Sequence, residues 1–403
     1  MPLTSLTSAL FAAAPWLAAP VVLLWRTRES RSIDEFPDAA PADAPLVSVI
    51  VPARDEARNV ERCLRSVLAT RWPRLEVILV DDHSTDGTDE LARRIARDDA
   101  RLRVLDDPDL PPGWFGKQWA CANGAAAARG SLLCFVDADT THAPDLLPRA
   151  VAALHARGAD LVSVIGRQEM GTFWERVAQP QVFAVILSRY GGTERISRAR
   201  RPVDVIANGQ FLLFTRTAYD AIGGHAAVRD VVVEDLKLAQ RVVASGRRLA
   251  LFLGDAQLST RMYTSLPELM RGWRKNVYAG GREAMPLGAL GQLLFPFLLC
   301  FPSVAQLWPI AMLGLGLAGV AVPIPPLAAT MAIAATLGFW LVTYHRAHQR
   351  TWWALTYPLG ALVLLAIALT AIARGQRVEW RGREYVSRRG ETEPAPPELG
   401  RVA

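Results

Sequence analysis

Hydrophobic residues are concentrated at the two ends of this chain. They crowd the first 25 positions and the stretch from Leu287 to Ala373, whereas the sequence between them has the charges and alternating apolar runs of a soluble domain. A run of about 20 apolar residues is long enough to cross a bilayer as a helix. The pattern therefore predicts a globular domain flanked by membrane segments.

The first segment, residues 1–31, is predicted to be a membrane anchor. A cleaved signal peptide has its positive charges before the apolar core, but here they follow it, at Arg26, Arg28 and Arg31. This order favours an uncleaved anchor with its N-terminus outside and the following domain in the cytoplasm, with a cleaved signal as the alternative. Residues 32–45 are rich in proline, alanine and aspartate and are interpreted as a linker.

Short apolar runs alternate with helical stretches across the predicted soluble domain, residues 46–284. This alternation predicts an α/β domain whose mostly parallel sheet has helices on both faces. Ligands of such sheets bind at the carboxyl ends of the strands. The predicted strands are 47–51, 76–80, 102–105 and 132–136, and the predicted helices are 57–70, 88–97 and 117–128.

The C-terminal region, residues 285–374, is predicted to form three to four membrane helices. Prolines interrupt its first half, which could form two short crossings, one long tilted helix or a re-entrant segment. A basic cytoplasmic tail is expected at 375–403, and the whole pattern indicates a multi-pass protein of the cell membrane. The apolar blocks are about 287–302, 303–322, 327–344 and 352–373.

The net charge of +6 could indicate a nucleic-acid partner. The arginines, however, lie beside the apolar segments, for example Arg26, Arg28, Arg374 and Arg377, as the positive-inside rule describes. We therefore expect a lipid bilayer, and no nucleic acid, as the partner. The four cysteines form no C-x-x-C pair, have no metal-binding spacing and give no reason to expect a disulfide, so we expect a reducing compartment.

Polar clusters follow three of the predicted strands. In VPARDE at 51–56, Pro52 ends a strand and Glu56 could contact the ribose of a nucleotide, although a turn with a helix-capping acid is at least as good an explanation. In DDHSTDGT at 81–88, capping explains the turn but not the two adjacent acids before it. Asp82 is therefore a candidate for accepting hydrogen bonds from a nucleotide base or ribose.

The central motif is Asp137-Ala138-Asp139, directly after the apolar run LLCFV. Two carboxylates separated by one small residue can both face a hard cation that also binds diphosphate oxygens. Such a cation acts as a Lewis acid and neutralises a departing nucleoside diphosphate. The motif is common by chance, but here it ends a strand on the same edge of the sheet as the other clusters. Both aspartates are candidate metal ligands, and Asp137 is also a candidate donor contact.

Glu234 and Asp235 begin a helical stretch after the β-branched run 231–233. The helix dipole favours acids at a helix N-terminus in any protein. The functional interpretation is a general base that takes the proton of an acceptor hydroxyl. Asp235 is the first candidate for this role and Glu234 the second.

Two further features suit phosphate and sugar binding. Lys117 begins a predicted helix, where its ammonium and the backbone amides could bind phosphate, but a solvated lysine is an equally good interpretation. Asn208 and Gln210 flank Gly209 beside the run FLLF and could approach a sugar or form an ordinary turn.

Arg271, Trp273 and Arg274 lie just before the first C-terminal apolar block. Tryptophan and arginine are typical of the headgroup layer, so an interfacial anchor explains them. They are also candidates for contacting a diphosphate or a lipid acceptor. The two roles are compatible.

Together these residues resemble the pattern of glycosyltransferase family 2. The resemblance extends from Val47 to about Gly281. It implies a nucleotide-binding α/β fold of the GT-A type, a Mg²⁺ or Mn²⁺ ion, a UDP-linked sugar as the default donor and inversion at the anomeric carbon. The matching positions are Glu56, Asp82, Asp137, Asp139, Glu234 and Asp235.

Within that family, the chain looks most like bacterial carotenoid glycosyltransferases of the diaponeurosporenoate type. Hopanoid-associated glycosyltransferases are similar in layout. Processive polysaccharide synthases of the family have Q-x-x-R-W near the membrane, where this chain has RGWR at 271–274. The shared segments are GWFGK at 113–117, GGH at 223–225, RMY at 261–263 and VEWRGREY at 378–385.

The expected function is metal-dependent, inverting transfer of a single sugar from a nucleotide sugar to a membrane lipid acceptor, such as a carotenoid or a hopanoid. A processive polysaccharide synthase and a non-catalytic membrane scaffold that retains the fold are the alternatives. The sequence leaves the sugar and the lipid open.

Overall fold

A computed structural model of the chain describes residues 3–286, 288–375, 377–380 and 383–386. Most of the predicted tail, including Arg381 and Gly382 of the resemblance, lies outside the described residues. The chain divides into two compact units. The helical unit comprises Met1–Ser30, Met170–Arg195 and Tyr263–Gly375, and the sheet unit comprises Arg31–Glu169, Ile196–Met262 and Gln376–Ala403.

Strands and helices alternate through most of the sheet unit. The elements of both units are numbered together here, in chain order. The strands, in chain order, are β1 (Val47–Ala53), β2 (Leu75–Asp81), β3 (Leu102–Asp106), β4 (Leu132–Val136), β5 (Thr140–His142), β6 (Leu161–Ile165), β7 (Arg167–Gln168), β8 (Phe211–Thr215), β9 (Leu249–Leu253), β10 (Leu258–Thr260), β11 (Arg377–Trp380) and β12 (Arg383–Val386). The helices are α1 (Leu3–Arg26), α2 (Val60–Leu68), α3 (Thr88–Asp98), α4 (Gly116–Ala127), α5 (Leu146–Arg157), α6 (Phe173–Tyr190), α7 (Thr193–Arg198), α8 (Arg216–Ala221), α9 (Glu234–Ala244), α10 (Leu266–Glu283), α11 (Gly288–Leu317), α12 (Pro326–Arg346) and α13 (Tyr357–Arg374).

The main sheet has seven strands in the order β3-β2-β1-β4-β8-β6-β9. Neighbouring strands are parallel except at β8, which is antiparallel to both β4 and β6. The predicted α/β fold with a mostly parallel sheet is confirmed. The antiparallel β8 is a feature that the sequence analysis did not predict. A smaller sheet has the order β5-β10-β7.

The central strands are covered on both faces. All seven residues of β2 are buried, and so are all five of β4. Near-continuous apolar runs are typical of parallel strands with helices on both sides. Helix α4 approaches β1 and β2 closely at Gly124, where a Cβ would lie 2.5 Å from Ile50 Cγ2 and 3.1 Å from Val80 Cγ2. This contact fixes the position of α4, whose first turn contains Lys117.

The predicted elements of the sheet unit are present, with shifts at their ends. The largest shift is in α2, which was predicted to begin at Ala57 and begins at Val60. The preceding residues form a turn because the backbone N–H groups of Glu56 and Ala57 donate to the side chains of Thr88 and Asp86. Those partners come from a different loop, so local propensity could not predict the helix start.

In the helical unit, α11 runs as one 30-residue helix through both of the first two apolar blocks. Three prolines lie inside it, at Pro296, Pro302 and Pro309. Among the described residues, four helical segments are long and apolar enough to cross a membrane, one near the N-terminus and three after the sheet unit. The sequence predicted three to four C-terminal membrane helices, and the described residues contain three candidates.

The C-terminal ends of α1 and α12 lie together in the helical unit, because Arg346 donates to Thr27 Oγ1 at 3.3 Å. Helix α6, from the middle of the chain, joins the same unit. The guanidinium of Arg26 donates to the carbonyl of Arg189 at 3.1 Å, and Tyr344 donates to the carbonyl of Arg176 at 2.7 Å. The sequence analysis did not anticipate that α6 packs with the apolar helices.

The close approach of α4 to the sheet leads to a test of stability. Gly124→Ala adds a methyl group that collides with the branched side chain of the buried Ile50, and overpacking of this kind costs about 1–3 kcal/mol. We expect the melting temperature of the detergent-purified protein to fall. Gly338→Ala is the matched control, because nothing lies within 4 Å of a Cβ at this position in α12. Equal melting temperatures for the two variants would contradict the packing described here.

Candidate active site

The carboxyl ends of β1, β2 and β4 lie along one edge of the main sheet. The three strands are neighbours and run in the same direction. Glu56 follows β1, Asp82 follows β2, and Asp137 and Asp139 follow β4. The three predicted clusters therefore lie along one edge, where α/β sheets bind their ligands.

The loops after β1 and β2 hold each other in place. Asp55 accepts a hydrogen bond from the backbone N–H of Thr85 at 2.8 Å, and its own N–H donates to Ser84 Oγ at 3.0 Å. The N–H of Glu56 donates to Thr88 Oγ1 at 2.8 Å. Asp55 has a φ of 52°, in the left-handed region that aspartate tolerates better than most residues. Cross-loop hydrogen bonds thus position Glu56 at the edge of the sheet.

The two adjacent acids after β2 have different surroundings. Asp82 is buried and pairs with Arg54, whose Nη1 lies 3.4 Å from its Oδ1. In Asp81, Oδ2 accepts from the N–H of Ser84 at 3.0 Å, whereas Oδ1 is buried and has no hydrogen-bond partner among the described residues. Burial raises the pKa of Asp81. Asp82 was the predicted nucleotide contact, and Asp81 is a second acceptor that the same motif offers.

The ammonium of Lys117 forms ion pairs with two of the predicted functional carboxylates. Its Nζ lies 2.7 Å from Asp137 Oδ1 and 2.6 Å from Glu234 Oε1. Although burial opposes the charged form, the two carboxylates raise the pKa of Lys117 well above its ordinary value. Lys117 is therefore not the solvated lysine that the sequence also allowed. It is an internal counter-ion that links the end of β4 to the start of α9.

Asp139 is the least compensated acid of the group. Its Oδ1 is buried and has no hydrogen-bond partner in the described part of the chain. Burial, together with the negative charges of Asp137 and Glu56, raises the pKa of Asp139 to about 7. A buried carboxylate among like charges is costly unless a cation lies beside it.

This donor set fits a hard divalent cation. Carboxylate oxygens are the ligands that Mg²⁺ and Mn²⁺ prefer, and the unpartnered oxygen of Asp139 is available for one. No group of three or more His, Cys, Asp or Glu side chains in the described residues is arranged to hold a metal ion by itself. A Mg²⁺ ion bound by one or two carboxylates commonly takes its other ligands from water and substrate phosphates.

Asp235 is oriented by two backbone groups. Its Oδ2 accepts from the N–H of Gly209 at 2.9 Å, and its Oδ1 accepts from the N–H of Leu236 at 2.8 Å. A Cβ on residue 209 would lie 3.1 Å from Asp235 Oδ2, so a glycine leaves room for this approach. Burial, with the charge of neighbouring Glu234 adding to it, raises the pKa of Asp235 to about 6. A carboxylate with this pKa is suited to accept a proton near neutral pH.

Asn208 and Gln210 are tied into the protein. The amide of Asn208 donates to the carbonyl of Val164 at 2.9 Å and to Gln210 Oε1 at 3.1 Å. Gln168 also donates to Gln210 Oε1, at 3.4 Å. These bonds hold the turn that presents the Gly209 N–H to Asp235. Contact of Asn208 or Gln210 with a sugar stays a prediction.

A buried Tyr219–His225 pair lies near Glu234. Tyr219 Oη and His225 Nδ1 are 2.9 Å apart, and the N–H of His225 donates to the same oxygen at 3.1 Å. A Cβ on Gly224 would lie 2.6 Å from the Tyr219 ring, which explains the small residue there. Burial, with the charge of Lys117 adding to it, lowers the pKa of His225 to about 3, so the imidazole is neutral. The GGH segment was quoted only as a resemblance, and its packing role depends on this tertiary contact.

Arg271, Trp273 and Arg274 lie on α10 in the helical unit. Trp273 is buried, and its ring packs edge-on against Phe183 at a centroid distance of 5.5 Å. An exposed headgroup anchor does not describe this tryptophan. The predicted contacts of the three residues with a diphosphate or an acceptor stay predictions.

Comparisons with known proteins agree with the fold described above. Residues 48–223 match the model of glycosyl transferase family 2. A 4,4'-diaponeurosporenoate glycosyltransferase from Staphylococcus haemolyticus is 24% identical over 289 residues, which cover 70% of this chain and 74% of the relative. Glycosyltransferase AglE from Haloferax volcanii is 34% identical over 120 residues, 29% of this chain and 38% of the relative.

A solved structure shares the fold. The mannosyltransferase PcManGT from Pyrobaculum calidifontis, in complex with GDP-Man and Mn²⁺, has a TM-score of 0.58 and 22% identity, with coverage of 91% of this chain and 98% of that chain. The family match includes Glu56, Asp82, Lys117 and the Asp137-Ala138-Asp139 motif. The fold, the match of residues 48–223 and the named relatives agree: the chain is a glycosyltransferase that resembles family 2 and, within it, carotenoid glycosyltransferases.

Proposed function

We propose that this glycosyltransferase moves one sugar from a nucleotide-sugar donor to a membrane lipid acceptor, in an inverting and metal-dependent reaction. The observation that supports this best is the unpartnered oxygen of Asp139 beside Asp137, at the sheet edge that also holds Lys117, Glu234 and Asp235. Donor, metal and base would then share one small region of the sheet unit.

The donor side of the proposal rests on the acids along the edge of the sheet. Asp137 and Asp139 would hold Mg²⁺ or Mn²⁺, and PcManGT was solved with Mn²⁺ and GDP-Man. When bound, such an ion supplies Lewis-acid stabilisation of the diphosphate leaving group. Glu56 and Asp82, with Pro52 beside them, would contact the nucleoside. Uridine is the base expected from the resemblance, and guanosine is the alternative because of the mannosyltransferase.

The acceptor side rests on Asp235. Its carboxylate would take the proton of the attacking hydroxyl, while the N–H groups of Gly209 and Leu236 hold it in orientation. Glu234, bound to Lys117, would remain charged and keep the pKa of Asp235 raised. If the acceptor oxygen is a carboxylate, it needs no base and Asp235 matters less.

The apolar helices of the helical unit support a lipid acceptor. Four helical segments have the length and composition of membrane spans, and relatives are named for glycosylating a carotenoid acid. The basic ends of α1 and α12 lie together at Arg346 and Thr27, which fits one cytoplasmic face under the positive-inside rule. We therefore infer a multi-pass protein of the cell membrane with a cytoplasmic catalytic domain, which meets its acceptor at the bilayer surface.

The proposal is tested by incubating membranes that contain the protein with radiolabelled UDP- and GDP-sugars and extracting the lipids. We expect one labelled sugar per extracted lipid with one of these donors. A ladder of longer products would instead indicate a polysaccharide synthase. Absence of label in lipid with every donor, while the purified protein is folded, would refute the proposal.

The metal site leads to a specific prediction. Asp139→Asn should lower kcat by about 100-fold or more, because it removes an oxygen charge that a divalent ion needs. The melting temperature should stay the same or rise, since the change relieves repulsion among buried acids. The matched control is Asp98→Asn, an exposed residue of α3 that should keep full activity.

The same assay includes metal removal. EDTA should abolish transfer by the wild-type protein, and added Mn²⁺ or Mg²⁺ should restore it. Full activity in EDTA, together with an active Asp139→Asn variant, would show that the transfer does not depend on this site.

The raised pKa of Asp235 predicts a pH dependence. A base must be deprotonated to act. At a metal concentration high enough to keep Asp139 ionised, kcat/KM with a hydroxyl acceptor should therefore be constant above a pH of about 6 and should fall about tenfold per pH unit below it. Asp235→Asn should be slow at every pH and should lose this acidic limb. A wild-type profile that stays flat down to a pH of about 4 would argue against Asp235 as the base.

A further inference from the structure

Helix α6 contains two buried glutamines with opposite surroundings. Gln179 is 0% exposed and Gln181 is 1% exposed. They are two residues apart, so on an α-helix their side chains leave from opposite faces. Both belong to the helical unit.

Both the nitrogen and the oxygen of the Gln181 amide form hydrogen bonds within the helical unit. It donates to the carbonyl of Tyr357 at 3.2 Å and accepts from Gln306 Nε2 at 3.0 Å. Gln306 Oε1 in turn accepts from Trp340 Nε1 at 2.8 Å. A Cβ on Gly360 would lie 2.9 Å from Gln181 Cγ, which shows how closely α13 packs on this face. Gln181 is therefore part of the structural connection between α6, α11, α12 and α13.

The amide of Gln179 has no such role. Neither its oxygen nor its nitrogen has a hydrogen-bond partner among the described residues, although both atoms are buried. A buried amide without partners lowers stability, so it needs an explanation such as a ligand.

The face of α6 that contains Gln179 is directed at α10. Phe183 lies one turn after Gln179, on the same side of the helix. The ring of Phe183 is perpendicular to that of Trp273 at a centroid distance of 5.5 Å, and the ring of Tyr263 is 6.0 Å from Trp273. The indole N–H of Trp273 is also buried without a partner in the described residues. Two polar groups without partners among the described residues therefore lie on packed helices: the amide one turn before Phe183 on α6, and the N–H of the Trp273 ring that Phe183 contacts.

We infer that Gln179 and the indole N–H of Trp273 bind the oxygen-bearing end of the lipid acceptor, and that Gln179 determines specificity for that end. This inference rests on the proposed function. A hydroxyl oxygen can accept from both the indole N–H and the amide N–H of Gln179 while it keeps its own proton to donate elsewhere, and a carboxylate can likewise accept from both groups. A hydrocarbon end leaves both groups unpaired, so the site disfavours it. The partly buried Phe183 provides apolar surface for the adjoining chain.

The kinetic test compares two variants of the same helix. Gln179→Leu should raise the acceptor KM about tenfold, leave the KM for the nucleotide sugar unchanged, and keep or raise the melting temperature, because it removes an unpaired amide. Gln181→Leu is the matched control and should do the reverse. It should lower the melting temperature, because it breaks bonds to Tyr357 and Gln306, while the acceptor KM of the folded protein stays the same.

A binding test that needs no turnover uses geranylgeraniol, geranylgeranic acid and a branched C20 alkane as probes in detergent. The alcohol, the acid or both should raise the melting temperature of the wild-type protein more than the alkane does, and Gln179→Leu should abolish that difference. The two polar probes separate a hydroxyl acceptor from a carboxyl acceptor.

The possible outcomes separate the inference from the proposed function. Equal stabilisation by all three probes, or a Gln179→Leu variant that loses stability and keeps its acceptor KM, would overturn the inference. Loss of probe discrimination in Gln179→Leu, in a wild-type protein that transfers sugar to no lipid, would support the binding site and refute the proposed function.

Discussion

The ammonium of Lys117, held between Asp137 and Glu234, is the interaction on which the acidic edge of the main sheet depends. Five acids gather there: Glu56, Asp137, Asp139, Glu234 and Asp235. Like charges at this density repel, and burial makes the repulsion stronger because water screens it less. Lys117 lowers the pKa of Glu234 below its ordinary value despite burial, whereas the pKa of Asp139 and of Asp235 stays raised. Lys117 therefore favours the charged form of Glu234, whereas Asp139 and Asp235 can exchange a proton near neutral pH.

The fold sets the position of this lysine through packing at both ends of α4. At the helix start, the N–H of Phe115 donates to the carbonyl of Arg229 at 2.8 Å, and the side chain of Gln118 donates to the carbonyl of Val231. These bonds connect α4 to the segment that leads into α9, and so to Glu234. Farther along the helix, Gly124 allows the close approach to β1 and β2. The ion pair is thus a product of the whole α/β layer arrangement.

The sheet, and the edge along which the acids lie, could be predicted because they follow from local patterns. Apolar runs followed directly by acids, as in LLCFV before Asp137, indicate both a strand and its carboxyl end. The sequence could not show that Lys117 bridges Asp137 and Glu234, because the partners are 20 and 117 positions away in the chain. The same limit applies to Gly209, which was interpreted as part of a turn and in the structure orients Asp235.

The sequence predicted the apolar segments of the helical unit but not how its helices pack. The sequence left open whether the first two apolar blocks form two short crossings, one long helix or a re-entrant segment, and in the structure α11 is one helix, continuous through Pro296, Pro302 and Pro309. Helix α6 is too polar to be recognised as a partner of membrane segments, and its buried glutamines are intelligible only with α10, α11 and α13 beside it.

The central claim is that the edge of acids around Lys117 binds a metal–diphosphate complex through Asp137 and Asp139. The most direct measurement is an anomalous difference map from crystals grown with Mn²⁺ and UDP or GDP. The structure predicts a manganese peak within coordination distance, about 2.0–2.4 Å, of a carboxylate oxygen of Asp139 and of diphosphate oxygens. A map with bound nucleotide and no manganese at Asp137 or Asp139 would contradict the claim.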